Sequence, residues 1–168
     1  ESLVETHGLL KPFDKGKLNP FGYDLTLATL FRMPAFDPLR TQLIDPLNIH
    51  EEDFRKFEGD FCIIPPNSYV LGQSVEWVSM PPDVTGDCQG RSTYVRCGVH
   101  VPVTPLEAGW CGIVTIEIYN GNQLPVKVYA HKGVCQVRFF VGSIPDRDYA
   151  SRGGKYQNQQ GITLARGL

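Results

Sequence analysis

Proline and glycine interrupt this chain at short intervals, and their spacing is the strongest constraint on its fold. The 168 residues include 17 glycines and 13 prolines, a share of about 18% against roughly 12% in average proteins. Turn signals fall at residues 65–67, 81–83, 121–122 and 142. A chain that turns this often favours many short strands over long helices.

The segments between these turns alternate apolar and polar side chains, as strands do. The clearest case is residues 113–119, in which Val114, Ile116 and Ile118 form one apolar face. Toward the C-terminus the alternation stops, and the chain becomes polar and rich in glycine. We therefore predict one all-β domain over residues 1–168, with short helical pieces and a mobile C-terminal segment. The other segments with strand alternation are residues 69–78, 126–130 and 134–141.

Composition and charge exclude several functional classes. The longest strictly apolar stretches, such as residues 61–64, are far too short to cross a bilayer. Charged residues interrupt the start of the chain, so no signal peptide is expected. A net charge of −2 gives no electrostatic basis for binding nucleic acid. The five cysteines form no C-x-x-C pair, which predicts reduced, mostly buried thiols in a cytoplasmic protein.

A carboxylate in the middle of the best-predicted strand is the first candidate for chemistry. Glu117 lies between Ile116 and Ile118, and it shares its face with Thr115 and Tyr119, which are polar but uncharged. One interpretation is a solvent-exposed glutamate on an edge strand. The other is a glutamate held in a site, where desolvation raises the pKa of its carboxyl and suits it to proton transfer near neutral pH. The pattern leaves both interpretations open.

The second candidate is the segment QGRSTYVRCG, residues 89–98. Two arginines surround a pair of hydroxyls between glycines, a composition that suits a phosphorylated ligand. If residues 92–96 form one helical turn, Ser92 and Arg96 face the same way, and the backbone N–H groups at its start favour an anion. The alternative is an ordinary connection with solvated arginines.

Motifs for other chemistries do not occur. The sequence has no Walker loop, no G-x-G-x-x-G and no G-x-S-x-G. It also lacks the H-x-E and P-C-x-x-C pair with which zinc deaminases activate water. The four histidines have no metal-ligand spacing, so we expect no zinc.

A series of motifs along the chain resembles those of the dCTP deaminases. The resemblance covers nearly the whole chain and is weakest at about residues 31–60. The joint occurrence of the Arg-Ser-Thr-Tyr block, the strand glutamate and the Lys-Tyr tail is highly specific. The matching motifs are GYD (22–24), IPPNS (64–68), GRSTYVRCG (90–98), VTPLEAGW (103–110), TIE (115–117), LPVKVYA (124–130), GVCQ (133–136) and GKYQNQQGITL (154–164).

The resemblance implies a fold and an activity. The fold is that of the trimeric dUTPases, a distorted β-barrel or jelly roll with short helices and a flexible C-terminal lid at about residues 147–168. Three active sites would lie at the subunit interfaces of a homotrimer. The reaction would be hydrolytic deamination of dCTP to dUTP and ammonia in pyrimidine deoxynucleotide metabolism, without zinc and with Mg²⁺ accompanying the triphosphate. The resemblance also makes dTTP a candidate feedback inhibitor.

The same resemblance assigns roles to individual residues. Glu117 matches the catalytic glutamate, which acts as general base and proton shuttle, and Ser92 and Arg96 match residues that orient the water and this glutamate. The residues that match nucleotide contacts are Arg91, Ser92, Thr93, Tyr94, Val95, Arg96, Thr115, Ile116, Glu117, Gln136, Tyr149, Lys155 and Gln159.

Other activities stay open at this point. A bifunctional relative would release dUMP and pyrophosphate from dCTP, and a catalytically inactive relative would bind nucleotide as a regulator. Simple dUTPase activity fits less well, because Glu107 stands where dUTPases carry a water-activating aspartate. An acid also stands at Glu117, where dUTPases have none.

Overall fold

The computed structural model describes residues 1–39 and 41–167 and consists mainly of strands, which confirms the all-β prediction. Residue 168, the end of the predicted lid, lies outside the described part. There are two short α-helices, α1 (Ser2–His7) and α2 (Ser92–Val95), and two 3-10 helices, Lys15–Lys17 and Glu51–Asp53. The strands are β1 (Leu10–Lys11), β2 (Leu18–Asn19), β3 (Gly22–Thr26), β4 (Leu30–Pro34), β5 (Phe54–Glu58), β6 (Phe61–Ile64), β7 (Tyr69–Ser79), β8 (Val84–Gly90), β9 (Val99–His100), β10 (Cys111–Asn120), β11 (Val126–Tyr129) and β12 (Gly133–Val141).

The strands form three antiparallel sheets. The largest has the order β5-β4-β7-β10-β9, with β1 also paired to β7. A second sheet has the order β2-β3-β12-β8, and β6 and β11 form a two-stranded ribbon. The distorted barrel or jelly roll that the resemblance implies is confirmed as an all-β fold, but the sheets of the described residues do not close into a barrel. Within the described residues, β5 and β9 are edge strands of the largest sheet and pair with neither of the other two sheets.

The core lies between the sheets and fixes which way each strand faces. Val114, Ile116 and Ile118 of β10 are all nearly or completely buried, together with Val70 and Val78 of β7. Successive side chains of a strand point to opposite faces. The residues between these positions, Glu117 among them, therefore point away from the core.

A bulge in β7 interrupts its pairing with β10. Ile113 pairs with Trp77 and Thr115 pairs with Gln73, so a single residue of β10 faces three residues of β7. The hydroxyl of Ser74 accepts a hydrogen bond from the backbone N–H of Val114 at 2.9 Å. The bulge is thereby tied to β10, and Glu76, two residues after Ser74, is buried on the same face of β7.

Glu76 is completely buried and fully hydrogen-bonded. Its carboxylate accepts from the backbone N–H of Thr26 at 2.9 Å, from the Thr26 hydroxyl at 2.6 Å and from the Tyr23 hydroxyl at 3.3 Å. The Lys17 ammonium lies 3.5 Å from Oε1. This cluster joins β7 of the largest sheet to β3 of the second sheet. We call Lys17, Tyr23, Thr26 and Glu76 the Glu76 cluster.

The segment at residues 31–60 contains more regular structure than its prolines suggest. We expect a loop from residue 33 to residue 48 and at most a helical turn after it, yet β4 and β5 pair in register from Leu30–Glu58 to Pro34–Phe54. The 3-10 helix at Glu51–Asp53 is the helical turn, and strand β5 follows it directly. The loop between these strands reaches the cavity described below.

Two expectations from composition can be compared with the structure. In the part of the chain that the structure describes, no helix is long and apolar enough to cross a membrane. All five cysteines are free thiols, and three of them, Cys62, Cys88 and Cys135, are buried. Cys97 is exposed and Cys111 is half-buried.

Candidate functional site

A cavity of about 790 Å³ opens on the outer face of β7 and β10. Five parts of the chain surround it: strands β7 and β10, the loop before β10, the loop between β4 and β5, and the C-terminal tail. The residues that line it include Ile44, Pro46, Ile49, Phe54, Tyr69, Leu71, Glu107, Trp110, Thr115, Glu117, Tyr149, Arg152, Lys155, Tyr156, Gln159 and Thr163.

Glu117 projects from β10 into this cavity, opposite Leu71 of β7. Its Oε2 atom is buried and has no hydrogen-bond partner among the described residues. Burial raises the pKa of the Glu117 carboxyl, and a contact with its own backbone N–H opposes this rise in part. Because desolvation disfavours the charged form, the ionised carboxylate accepts a proton more readily than an exposed glutamate does. Glu117 is therefore a half-buried carboxyl that faces the cavity.

The C-terminal tail packs beside the start of β10. The carbonyl of Gln159 accepts from the backbone N–H of Ile113 at 2.9 Å, and the Gln159 side chain donates to the Ile113 carbonyl at 2.5 Å. Further on, the backbone N–H of Thr163 donates to the Thr115 hydroxyl at 3.1 Å, two residues before Glu117. A Cβ at Gly112 would lie 2.9 Å from the Gln159 carbonyl, so the tail fits only against a glycine here.

Aromatic residues hold the first part of the tail. The Tyr149 hydroxyl accepts from the backbone N–H of Tyr156 at 3.0 Å, and the Trp110 indole donates to the Tyr156 carbonyl at 2.9 Å. Gly154 packs against the Tyr149 ring so closely that a Cβ would lie 2.1 Å from it. These contacts hold the first part of the tail where its residues line the cavity.

Two cations of the tail line the cavity. The Arg152 guanidinium lies 3.3 Å from the Glu107 carboxylate, and the Lys155 ammonium donates to the carbonyl of Gly167. Both side chains are largely exposed. Among the described residues that line the cavity, these two are the positively charged ones, so an anionic ligand that enters the cavity can pair with them.

The structure brings together five of the residues predicted for the site. These are Thr115, Glu117, Tyr149, Lys155 and Gln159, all of which line the cavity. Ile116 is completely buried in the core, so only its main chain can contact a ligand. The remaining seven do not line this cavity: Arg91, Ser92, Thr93, Tyr94, Val95, Arg96 and Gln136.

The segment around α2 lies apart from Glu117 in the same chain. The predicted helical turn is present, since the backbone N–H of Arg96 donates to the Ser92 carbonyl at 3.0 Å, and both side chains are exposed. Arg91 forms an ion pair with Asp24 at 3.1 Å. Gln136 is the register partner of Asp24, so these three residues form a second polar group on the β3–β12–β8 sheet.

Comparison with known proteins bears on the identity of the chain. Residues 1–142 match the dCTP deaminase-like family. The chain belongs to this family. Similar curated proteins named dCTP deaminase come from Cupriavidus metallidurans, 42% identical over 96% of this chain and 93% of the relative, and from Herpetosiphon aurantiacus, 43% identical over 98% and 94%. The prediction that the chain is a dCTP deaminase-like enzyme is thereby confirmed.

Solved structures agree on the fold of the deaminase-like chain. The 2′-deoxycytidine 5′-triphosphate deaminase from Agrobacterium tumefaciens superposes with a TM-score of 0.66 at 16% identity, over 84% of this chain and 46% of that one. The dUTPase from phage phi11 of S. aureus superposes with a TM-score of 0.51 at 12% identity, over 82% and 92%. The predicted likeness to dUTPases is confirmed at the level of fold.

Sequence reasoning missed the apolar wall of the cavity in this deaminase-like protein. Phe54 packs edge-on against Tyr69 and Phe36, with ring centroids 6.5 and 5.8 Å apart. Leu71 continues this wall beside Glu117, and the loop between β4 and β5 adds Ile44, Pro46 and Ile49. Two of these aromatic residues, Phe36 and Phe54, lie in the poorly matching segment and were the available signal, but nothing in their spacing places them beside β7.

Proposed function

We propose that this protein hydrolyses dCTP to dUTP and ammonia. The observation that supports the proposal most directly is Glu117. It is a carboxylate with one buried, unpaired oxygen among the described residues, it faces a large cavity, and it belongs to a chain of the dCTP deaminase-like family.

Deamination requires one group that accepts protons and returns them. Water adds to C4 of cytosine while a proton reaches N3, and the amine then leaves as ammonia after it takes a second proton. Glu117 accepts the proton of the attacking water and delivers it to N3; it then takes the proton of the C4 hydroxyl, as the C4 carbonyl forms, and delivers it to the leaving amine. Its raised pKa suits this role, because a base works best when its pKa lies near the working pH. No step is assigned to a zinc ion.

The triphosphate is placed toward the tail. Arg152 and Lys155 line the same cavity as Glu117 and can offset part of the phosphate charge. Mg²⁺ enters in this proposal bound to the triphosphate, as part of the substrate. The tail acts as a lid, since its contacts with Thr115 and Ile113 close the cavity beside the reacting base.

A second copy of the chain completes the site. Ser92 and Arg96, proposed to orient the water and Glu117, are exposed and do not line the cavity of their own chain. A neighbouring subunit must supply them if they act at Glu117. By resemblance to the family the assembly is a homotrimer with three shared sites.

An apolar surface next to α2 supports this assembly. Phe61, Ile63 and Tyr129 on the outer face of the β6–β11 ribbon are each close to half exposed, and so is Val95 of α2. The Tyr94 hydroxyl accepts from the backbone N–H of Tyr129 at 3.3 Å, which joins the ribbon to α2. A contact between copies would bury these side chains and present Ser92 to the neighbour's cavity.

One experiment separates the proposed activity from its rivals. The protein is incubated with dCTP and Mg²⁺, and dUTP, dUMP and ammonia are separated and measured. We expect dUTP and ammonia in equal amounts. Formation of dUMP and pyrophosphate would identify the bifunctional enzyme, whereas nucleotide binding without any product would identify the inactive regulator. Adding dTTP to the same assay tests feedback inhibition.

Shared sites have a test of their own. Glu117→Gln and Ser92→Ala subunits, each inactive alone, are unfolded together and refolded at equal concentration. In random trimers about one quarter of the sites combine an intact Glu117 with an intact Ser92 from the next subunit. We expect about that fraction of wild-type activity to return. A mixture that stays inactive would contradict the shared site.

A further inference from the structure

One row of side chains crosses the largest sheet on the face that carries the cavity. In the register of this sheet Lys56 of β5 pairs with Arg32 of β4, Arg32 pairs with Leu71 of β7, and Leu71 pairs with Glu117 of β10. Directly opposed residues of neighbouring strands point to the same face. The four side chains therefore share the face on which the cavity lies.

This row contains two unpaired polar atoms of opposite charge. Nε of Arg32 and Oε2 of Glu117 are both buried, and neither has a hydrogen-bond partner within residues 1–39 and 41–167. Neighbouring strands are about 4.8 Å apart, so the two backbones are separated by about 10 Å. Arg32 uses Nη1 to pair with Glu51, which is largely exposed. The guanidinium is therefore not paired with the catalytic carboxyl.

Leu71 stands between the two charged groups. Its side chain is only 9% exposed, and it lines the cavity directly opposite Glu117. A leucine offers neither a donor nor an acceptor, and it excludes water from the volume that it fills. Any polar residue at this position would hydrogen-bond to Glu117 or admit water that does so.

We propose that Leu71 is a positioning residue of the deamination site, which separates the Glu117 carboxyl from Arg32 and from water and thereby sets the pH range in which the enzyme works. This inference rests on the proposed function. It also gives a role to the apolar wall, which excludes water from one side of the Glu117 carboxyl.

The other groups around Glu117 stay the same in the Leu71 variants, and in the proposed assembly they include Arg96 of the neighbouring subunit. Burial is the main cause of the raised pKa of Glu117, and Leu71 supplies part of that burial. The neighbouring Tyr69 is itself desolvated, which raises the pKa of its phenol. The other titratable or charged groups that line the cavity, lie on the same row, or pair next to Glu117 are Glu107, Tyr149, Arg152, Lys155, Tyr156, Arg32, Lys56, Tyr119 and His100.

The first test replaces Leu71 by a polar residue of similar size. In Leu71→Asn the added amide donates to the carboxylate, which favours the charged form. We expect the acid limb of the kcat/KM profile to move about one pH unit lower, with a smaller kcat on the plateau. Leu71→Met is the matched control and should leave the limb in place. Leu71→Thr serves as the second polar variant if Leu71→Asn does not fold.

The second test measures the insulation from Arg32 by a double-mutant cycle. With Leu71 present, Arg32→Met should leave the acid limb where it is. In the Leu71→Ala background the guanidinium acts on Glu117 through admitted water, so Arg32→Met should move the limb back toward higher pH. An equal shift by Arg32→Met in both backgrounds would overturn the insulation by Leu71.

A direct titration separates this inference from the proposed function. The carboxyl carbon of Glu117 is followed by ¹³C NMR across pH in the wild type, Leu71→Asn and Leu71→Met. We expect a lower titration midpoint in Leu71→Asn alone. An unchanged midpoint in Leu71→Asn would overturn the inference even if dCTP is deaminated. A lower midpoint in a protein that does not deaminate dCTP would support the local effect and refute the activity.

Discussion

Two glutamates lie on the same pair of strands and have opposite surroundings. Glu76 of β7 points into the protein, where three donors and the Lys17 ammonium surround its carboxylate. Glu117 of β10 points outward, with one carboxyl oxygen buried and unpaired among the described residues. The sheet thus carries a fully satisfied carboxylate on its core face and an under-satisfied one on its cavity face.

The difference is that between a structural carboxylate and one that we propose to be reactive. A buried charge is tolerated when its partners replace water, and removing one side of such a group is strongly destabilising. A buried carboxyl with too few hydrogen-bond partners lowers the stability of the fold, but one of its oxygens stays free to accept a proton. The Glu76 cluster therefore stabilises the packing of two sheets, whereas Glu117 is available to a ligand in the cavity.

The largest expected effect is on catalysis at Glu117. Glu117→Gln keeps the size of the side chain but cannot accept a proton from water, so ammonia release from dCTP should fall about 10³-fold or more. Nucleotide binding, measured by calorimetry, should change little. Glu76→Gln is the matched control, because the same chemical change on the core face should leave turnover by the folded protein near the wild-type rate. Turnover retained by Glu117→Gln would refute the mechanism.

Removal of the tail should have the next largest effect. A chain that ends at Arg152 loses the contacts to Ile113 and Thr115 beside Glu117 but none of the contacts of the Glu76 cluster. We expect a sharp rise in KM and a loss of roughly 100-fold in kcat/KM. Steady-state kinetics with dCTP measures both. Unchanged kinetics would show that the tail is not a lid.

Disruption of the Glu76 cluster should lower stability, and this effect should be smaller in free energy than the effect of tail removal on catalysis. Glu76→Gln weakens the hydrogen bonds that a charged acceptor receives from Thr26 and leaves Lys17 without its buried partner. The free energy of unfolding, measured with urea, should fall by about 2 kcal/mol. An unfolding free energy equal to that of the wild type would mean that the cluster does not stabilise the contact between the sheets.

The smallest expected effect is the pH dependence of stability that Glu117 causes. Its pKa is raised in the folded state, so its favourable contribution is complete below the unfolded pKa and is lost as the pH rises through the folded pKa. Glu117→Gln should therefore match the wild type at low pH and become more stable toward neutral pH. The gain is about 1.4 kcal/mol for each unit by which the pKa is raised. Urea unfolding at several pH values measures it.

The sequence predicts the strands that carry the site better than it predicts the surroundings of the site. Alternation is clear in β7 and β10 because one face of each is packed in the core, and β10 contains Val114, Ile116 and Ile118 on that face. The sequence does not predict strands β4 and β5. Pro34 is the last residue of β4, and β5 is the charged segment Phe54–Glu58. Their pairing depends on contacts with β7 that are distant in sequence.

The two glutamates show the same limit at the level of single residues. Glu117 is noticeable because it interrupts an apolar strand. Glu76 lies on the buried face of β7, in phase with Val70 and Val78, but its partners Tyr23 and Thr26 are about 50 residues away. Pairings of that kind arise from the packing of whole sheets, and no local pattern contains them. The same holds for the cavity wall built by Leu71 and the loop after β4.

The position of Glu117 has a consequence for how this enzyme can change during evolution. Glu117, the proposed base, is fixed on a strand that pairs with β7 and β9, whereas two other walls of the cavity come from a loop and a tail. Substitutions in the loop that contributes Ile44, Pro46 and Ile49 can reshape the space around a substrate without moving the carboxylate. Selection can therefore broaden or narrow the range of accepted nucleotides while the reaction itself stays the same.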